Sequence, residues 1–151
     1  MDPVHLHLML CHVPVVGQAI AFAGLVVAFF KKDASFRRWA LGLSFATALT
    51  ALPATWSGEG SEDRAASLTG VSMDAMEAHE EAAETALAVT LGAGGAAALA
   101  LILIRTREKA ARIAVAVAAA ASLVALGYLA KASNLGGGIR HPEVRSAPGP
   151  Q

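Results

Sequence analysis

The 151-residue sequence predicts an all-helical protein, a four-helix transmembrane bundle of up-down-up-down topology. Hydrophobic residues make up 55% of the chain and charged residues only 16%. Four windows of 18 to 20 residues carry no charge, and each is close to the roughly 20 residues with which a helix crosses a bilayer. These windows are Val13–Phe30, Trp39–Trp56, Thr85–Ile104 and Ile113–Ala130.

The first two predicted spans cover about residues 5–30 and 39–56. The chain begins Met-Asp-Pro-Val-His, without the positive charges that open a signal peptide, so we expect the first segment to be a retained span. Trp39 and Trp56 bracket the second span. They lie 17 residues apart, about 25 Å along a helix, as expected for aromatic side chains at the two membrane interfaces.

The third and fourth predicted spans cover about residues 75–104 and 110–131. Acidic residues cluster at the start of the third span, where the helix macrodipole favours negative charge. Three consecutive glycines, Gly136–Gly138, follow the fourth span and predict a hinge. The predicted organisation is therefore a membrane domain of residues 1–135 and a flexible tail of residues 136–151.

Basic residues predict the orientation of the spans. Eight of the twelve lie in two short segments, one between spans one and two and one between spans three and four. By the positive-inside rule these segments are cytoplasmic, so both termini are predicted on the outer, periplasmic side of a bacterial inner membrane. The eight are Lys31, Lys32, Arg37, Arg38, Arg105, Arg107, Lys109 and Arg112.

Charge and cysteine content exclude several classes of protein. Twelve basic residues balance twelve acidic ones, so no net charge attracts the chain to nucleic acid. The single cysteine, Cys11, excludes an intrachain disulfide framework. The predicted partners are the lipid bilayer and other membrane or periplasmic redox proteins.

The histidines are the candidate ligands, because all of them map to the outer half: His5, His7, His12, His79 and His141. His12 lies inside the first span, where an ionisable side chain is costly and indicates a function. Counted back from Phe30 and Ile104, His5 and His79 are each 25 residues away, whereas His12 is 18 away and about 10 Å deeper. The pairing of the ligands stays open.

Imidazoles from the first and third helices, which are diagonal in an up-down bundle, suit two-histidine ligation of a b-type haem. The predicted function is electron transfer within or beside a respiratory or photosynthetic assembly, rather than substrate catalysis, and no catalytic residue is predicted. The candidate iron ligands are His5, His12, His79 and His141, with His7 and Arg140 as further cofactor-binding residues. Arg140, Arg145 and Lys131 are cations suited to the haem propionates.

Two other functions stay open. Copper is the first alternative, because imidazole and thioether groups suit copper, and Met9 and Met76 each precede a histidine by three residues. The second alternative is a scaffold subunit of a membrane complex, in which the histidines only form hydrogen bonds. A metal-free protein that purifies with larger subunits would favour the scaffold.

The segment from His7 to Val15, His-Leu-Met-Leu-Cys-His-Val-Pro-Val, resembles the opening of a bacterial four-span membrane-domain family of unknown function. That family typically reads His-Pro-x-x-Val-His-Phe-Pro-Ile, so His7, His12 and Pro14 match, while Leu8 and Val13 depart from it. The closing Gly137–Glu143 segment is also similar to small membrane proteins of this kind. The resemblance implies a four-helix protein of the bacterial inner membrane and no established activity.

Overall fold

A computed structural model describes residues 2–31, 33–104 and 108–141, and all regular secondary structure in these residues is helical. The all-helical prediction is thus confirmed. The helices are α1 (Pro3–Leu10), α2 (His12–Phe30), α3 (Ala34–Leu49), α4 (Ala51–Glu59), α5 (Glu62–Ala66), α6 (Met73–Leu103) and α7 (Glu108–Arg140). Helix α7 continues through the three glycines that were predicted to begin a flexible tail, and residues 142–151 of that tail lie outside the described residues.

Two prolines explain why the first two apolar segments are each divided into two helices. Helix α1 gives way to α2 at Cys11, three residues before Pro14, and α3 gives way to α4 at Thr50, three residues before Pro53. Proline has no N–H group, and its ring clashes with the carbonyl four residues earlier, which interrupts a helix at this distance. The short helices α1 and α4 lie beyond these breaks and pack against each other.

Among the described residues, three helical segments are long and apolar enough to cross a membrane: Pro3–Phe30, Met73–Leu103 and Lys109–Ile139. Their most apolar windows have mean hydropathies of 2.1 to 2.2. The predicted second span, 39–56, falls instead on α3 and α4, which have 16 and 9 residues. Helices α1 and α2 are divided in the same way and still form the single long segment Pro3–Phe30, so the division at Thr50 alone does not decide whether α3 and α4 together cross a membrane.

The long helices pack as antiparallel neighbours. Helix α2 contacts α3 and α7, and α6 contacts the same two helices, so α2 and α6 lie diagonally across the core. Gly17 and Gly24 of α2 lie against Thr47 and Ala40 of α3, which shows that these two helices run in opposite directions. The core is rich in alanine, whose small side chain lets helices approach closely. Its main cluster consists of Leu25, Ala28, Ala40, Leu41, Ala97, Ala100, Val115 and Ala118.

Hydroxyl and amide side chains join the helices near the middle of the core. The Ser44 and Ser122 hydroxyls, on α3 and α7, lie 3.2 Å apart, and the Thr47 hydroxyl lies 3.1 Å from the Gln18 amide oxygen on α2. Such side chains bridge helices in an apolar medium, where exposure to lipid would leave them unsatisfied.

Replacing Asp33 by alanine is expected to destabilise the start of α3. The Asp33 carboxylate accepts hydrogen bonds from the backbone N–H groups of Ser35 and Phe36, at 2.8 and 3.0 Å. The N–H group of Phe36, and then that of Ser35, hold the pKa of this carboxyl below its ordinary value of 3.8. The stabilisation is therefore complete above that value and is lost as the pH falls through the lowered pKa.

The measurement is the thermal unfolding midpoint of the wild type and Asp33→Ala by circular dichroism at neutral and acidic pH. The wild type should unfold at the higher temperature at neutral pH, and the difference should disappear at a pH well below the ordinary carboxyl pKa. Asp33→Asn is the control, since an asparagine oxygen also caps a helix. A difference that persists unchanged in acid would contradict the role of the ionised carboxylate.

Candidate functional site

Two histidines meet at the end of the molecule formed by α1, α4, the first turns of α6 and the last turns of α7. We call this the histidine end. The imidazole rings of His7 on α1 and His79 on α6 have centroids 6.3 Å apart and planes inclined by 70°. Both residues are half-buried. They come from the first and third apolar segments, which lie diagonally across the core.

Helix α4 holds the ring of His7 from one side. The His7 Nδ1 atom lies 3.0 Å from the carbonyl oxygen of Ala54 and 3.2 Å from the Ser57 hydroxyl, and that hydroxyl itself donates to the Ala54 carbonyl. A carbonyl oxygen only accepts hydrogen bonds, so the neutral imidazole carries its proton on Nδ1. Its Nε2 atom then has the free lone pair with which it can bind a metal.

Helix α7 holds the ring of His79 in the same way. The His79 Nδ1 atom lies 2.9 Å from the carbonyl oxygen of Ala132. In its neutral form this ring has the same tautomer, with the proton on Nδ1 and a free lone pair on Nε2. Metal-binding histidines almost always donate their second ring N–H to a carboxylate, a backbone carbonyl or a water molecule, and a backbone carbonyl takes this place here.

Glycines allow α4 and α7 to approach these two rings. A Cβ atom at Gly58 of α4 would lie 3.0 Å from His7 Cε1, and one at Gly136 of α7 would lie 2.9 Å from His79 Cε1. Ala82 and Ala132, which are buried beside His79, are also small. Gly136–Gly138 was predicted to form a hinge, but these residues are helical, and Gly136 allows α7 to lie close to the His79 ring.

The separation of the two rings suits a shared metal ion. Imidazole nitrogens bind metals at about 2.0 Å, so a metal held in line between two imidazoles separates the ring centroids by about 6 Å. The observed 6.3 Å agrees with this value. An edge-to-face pair of rings without a metal also falls in this range. In the part of the chain that the structure describes, no group of three or more His, Cys, Asp or Glu side chains is placed to hold a metal ion.

The other predicted ligands do not join this pair. His5 is exposed on α1, and His12 is exposed on α2 with its Nδ1 atom bonded to the carbonyl of Leu8 on the preceding turn. His141 is exposed directly after α7, where its backbone N–H donates to the Gly137 carbonyl. The copper alternative predicted two methionines as further ligands. Met9 is exposed, whereas Met76 is half-buried and precedes His79 by three residues on α6.

Two of the three cations that were predicted to bind the haem propionates lie within the described residues. Lys131 is exposed on α7, Arg140 ends that helix, and Arg145 lies outside the described residues. A cation that was not predicted lies beside α1: Arg64 of α5 forms an ion pair with Asp2, with an Nε–Oδ2 distance of 3.3 Å. Asp2 also caps α1, so this pair ties α5 to the helix that carries His7.

Counting residues from the inner ends of the first and third spans predicted the depth of the histidine pair approximately, but it did not identify His7. It placed His79 level with His5, and the residue that meets His79 is His7, two positions further along the chain. The supporting positions Ala54, Gly58 and Gly136 were not selected as site residues. One pattern in the sequence could have pointed to them: each histidine lies near the start of one span, and a glycine lies near the end of the neighbouring span.

Neither protein-family models, nor curated proteins, nor solved structures match this chain. The described residues thus form an all-helical fold with three helical segments long and apolar enough to cross a membrane, and a pair of histidine rings in contact at one end.

Proposed function

We propose that the protein is a small membrane cytochrome in which His7 and His79 would hold a b-type haem. The observation that carries the proposal is the pair itself. Two imidazoles from diagonal helices lie 6.3 Å apart, and each ring is oriented by a backbone carbonyl at Nδ1. This leaves Nε2 of both rings as the metal-binding atom.

The number of ligands favours haem over a bare metal ion. Structural zinc sites take four protein ligands, and catalytic zinc sites take three. The histidine end offers two imidazoles without a third His, Cys, Asp or Glu among the described residues. A porphyrin supplies four nitrogens of its own, so two histidines complete six-coordination. Bound in this way, the haem would supply a one-electron couple for electron transfer.

The residues around the pair have distinct roles in this proposal. Ala54 and Ala132 accept the Nδ1 hydrogen bonds, which keep each ring from rotating and increase the basicity of Nε2. Gly58 and Gly136 keep the facing helices from displacing the rings. With His7 and His79 holding it, the haem would supply a one-electron couple, which favours electron transfer over substrate catalysis.

The proposed topology has four spans, with α3 and α4 together as the second. Basic side chains gather at the opposite end from the histidines, where the Cζ atom of Arg112 on α7 lies 5.4 Å from the Phe29 ring centroid on α2. Lys31, Arg37, Arg38 and Lys109 belong to the same end. By the positive-inside rule this end is cytoplasmic, and the histidine end faces the periplasm, where redox partners would reach it.

Copper remains a second candidate because Met76 is half-buried on the same face of α6 as His79. A thioether beside two imidazoles would suit Cu(I).

An absorption spectrum of the purified protein tests the proposal. We expect a Soret band, with sharp α and β bands on reduction, and about one iron per chain by elemental analysis. A colourless protein with stoichiometric copper would overturn haem in favour of copper. A colourless, metal-free protein that purifies with larger subunits would leave His7 and His79 as a packing pair in a scaffold subunit.

A further inference from the structure

We propose that the basic end of the molecule carries a binding groove for one anionic phospholipid, independent of the histidine end. A groove of about 770 Å³ lies between the last turn of α2 and the first half of α7. Two cations, Lys109 and Arg112, line its mouth, and the rest of its lining is apolar. The headgroup phosphate would lie between the two cations, and an acyl chain would follow the groove.

The walls of the groove suit an acyl chain. Ile113, Ala116, Val117 and Ala120 line it, and their spacing of three and four residues places them on one face of α7. All four are exposed. Two of the four are alanines, whose small side chains leave room along this face. Polar groups are scarce along these walls, so a hydrocarbon chain would cover apolar surface at no desolvation cost.

The length of the groove matches one leaflet. Lys109 and Ala120 are 11 residues apart on α7, which corresponds to about 16 Å along a helix. Half of a hydrocarbon core of about 30 Å is nearly the same length. A lipid whose phosphate reaches Lys109 therefore has its chain end near Ala120, at the middle of the bilayer.

Charge identifies the headgroup as anionic. Both cations are exposed, and the Arg112 guanidinium lies over the Phe29 ring, which holds it at the mouth of the groove. Lys109 also lies in the first turn of α7, where the positive end of the helix dipole repels it and attracts a phosphate. A bound anion would relieve this repulsion. Each basic residue near a membrane surface contributes about a fivefold gain in affinity for anionic lipid.

Retention of lipid by the purified protein, measured by native mass spectrometry, tests this groove. Micelles would contain phosphatidylglycerol or phosphatidylcholine with identical chains. We expect the wild type to retain phosphatidylglycerol at least about tenfold better, and Lys109→Gln/Arg112→Gln to lose this preference. Lys131→Gln is the matched control, because it removes an exposed cation from the other end of the same helix. Equal retention of the two lipids by the wild type would overturn the proposal, as would a double variant that behaves like the control.

A second variant tests the acyl chain and does not alter the charges. Ala116→Phe places a bulky side chain in the exposed groove and is expected to reduce retention of both lipids severalfold. Unchanged retention by this variant would show that the chain lies elsewhere and would overturn the proposal. Helix content by circular dichroism establishes that each variant is folded. If the double variant unfolds, Arg112→Gln and Ala116→Phe decide the outcome.

Discussion

Replacing either His7 or His79 by alanine is expected to abolish the proposed haem binding. Each variant removes one of the two protein ligands, and no third His, Cys, Asp or Glu lies with them among the described residues to take its place. Since the loss of groups that only support a ligand costs about 10- to 100-fold in metal affinity, we expect loss of the ligand itself to cost more than about 100-fold. The measurement is haem titration of the purified variants, followed at the Soret band.

Two sets of controls make this prediction specific. His5→Ala and His12→Ala should keep the spectrum of the wild type, because both side chains are exposed and do not join the ring pair. His79→Gly with added imidazole should recover part of the Soret band, since free imidazole can occupy the vacated position. If His12→Ala removed the haem while His7→Ala retained it, the assignment of the axial ligands would be wrong.

Replacing Gly94 by alanine is expected to lower the free energy of unfolding by about 1–3 kcal/mol. A Cβ atom at Gly94 on α6 would lie 2.5 Å from the Cβ atom of Ala48 on α3, far inside van der Waals contact. Neither group is the flexible end of a side chain, so the two helices must separate to accommodate it. The measurement is unfolding of the purified protein in mixed micelles, followed by circular dichroism.

Neighbouring glycines provide the control for this experiment. A Cβ atom at Gly92 or at Gly95 would meet nothing within 4 Å. Gly92→Ala and Gly95→Ala should therefore leave the stability unchanged or raise it by up to about 1 kcal/mol, because alanine favours the helix. Destabilisation of the same size at all three positions would show that a general effect on the helix, rather than the contact with Ala48, is responsible.

The apolar helices could be predicted from the sequence, but it was harder to predict which side of each helix faces the core. Uncharged windows located the apolar segments because each is uniform along its length. That same uniformity gives little indication of which side faces the core, since apolar side chains surround the helix. His12 was selected because it lies within a span, yet its side chain is exposed. His7 and His12 are five residues apart, about 140° around a helix, so they cannot both face α6.

The supporting atoms of the site were beyond sequence analysis for a different reason. The partners of His7 and His79 are backbone carbonyls, of Ala54 and Ala132, and every residue has a carbonyl. Only the packing of α4 and α7 selects which of them meets a ring. Gly136 illustrates the same limit, because a run of three glycines predicts a flexible hinge equally well as a close helical contact.

The breaks before Pro14 and Pro53 have a mechanical consequence. The carbonyls of Leu10 and Leu49 each lack the helical donor that a residue other than proline would supply four positions later. Helical hydrogen bonding in both segments is thus weakest at the two breaks. These breaks separate the alanine-rich interior from α1, which carries His7, and from α4, which holds the His7 ring. We therefore expect α1 and α4 to move more easily than the interior, about these two points. Amide deuterium uptake should accordingly be fast on the histidine side of both breaks and slow on the other.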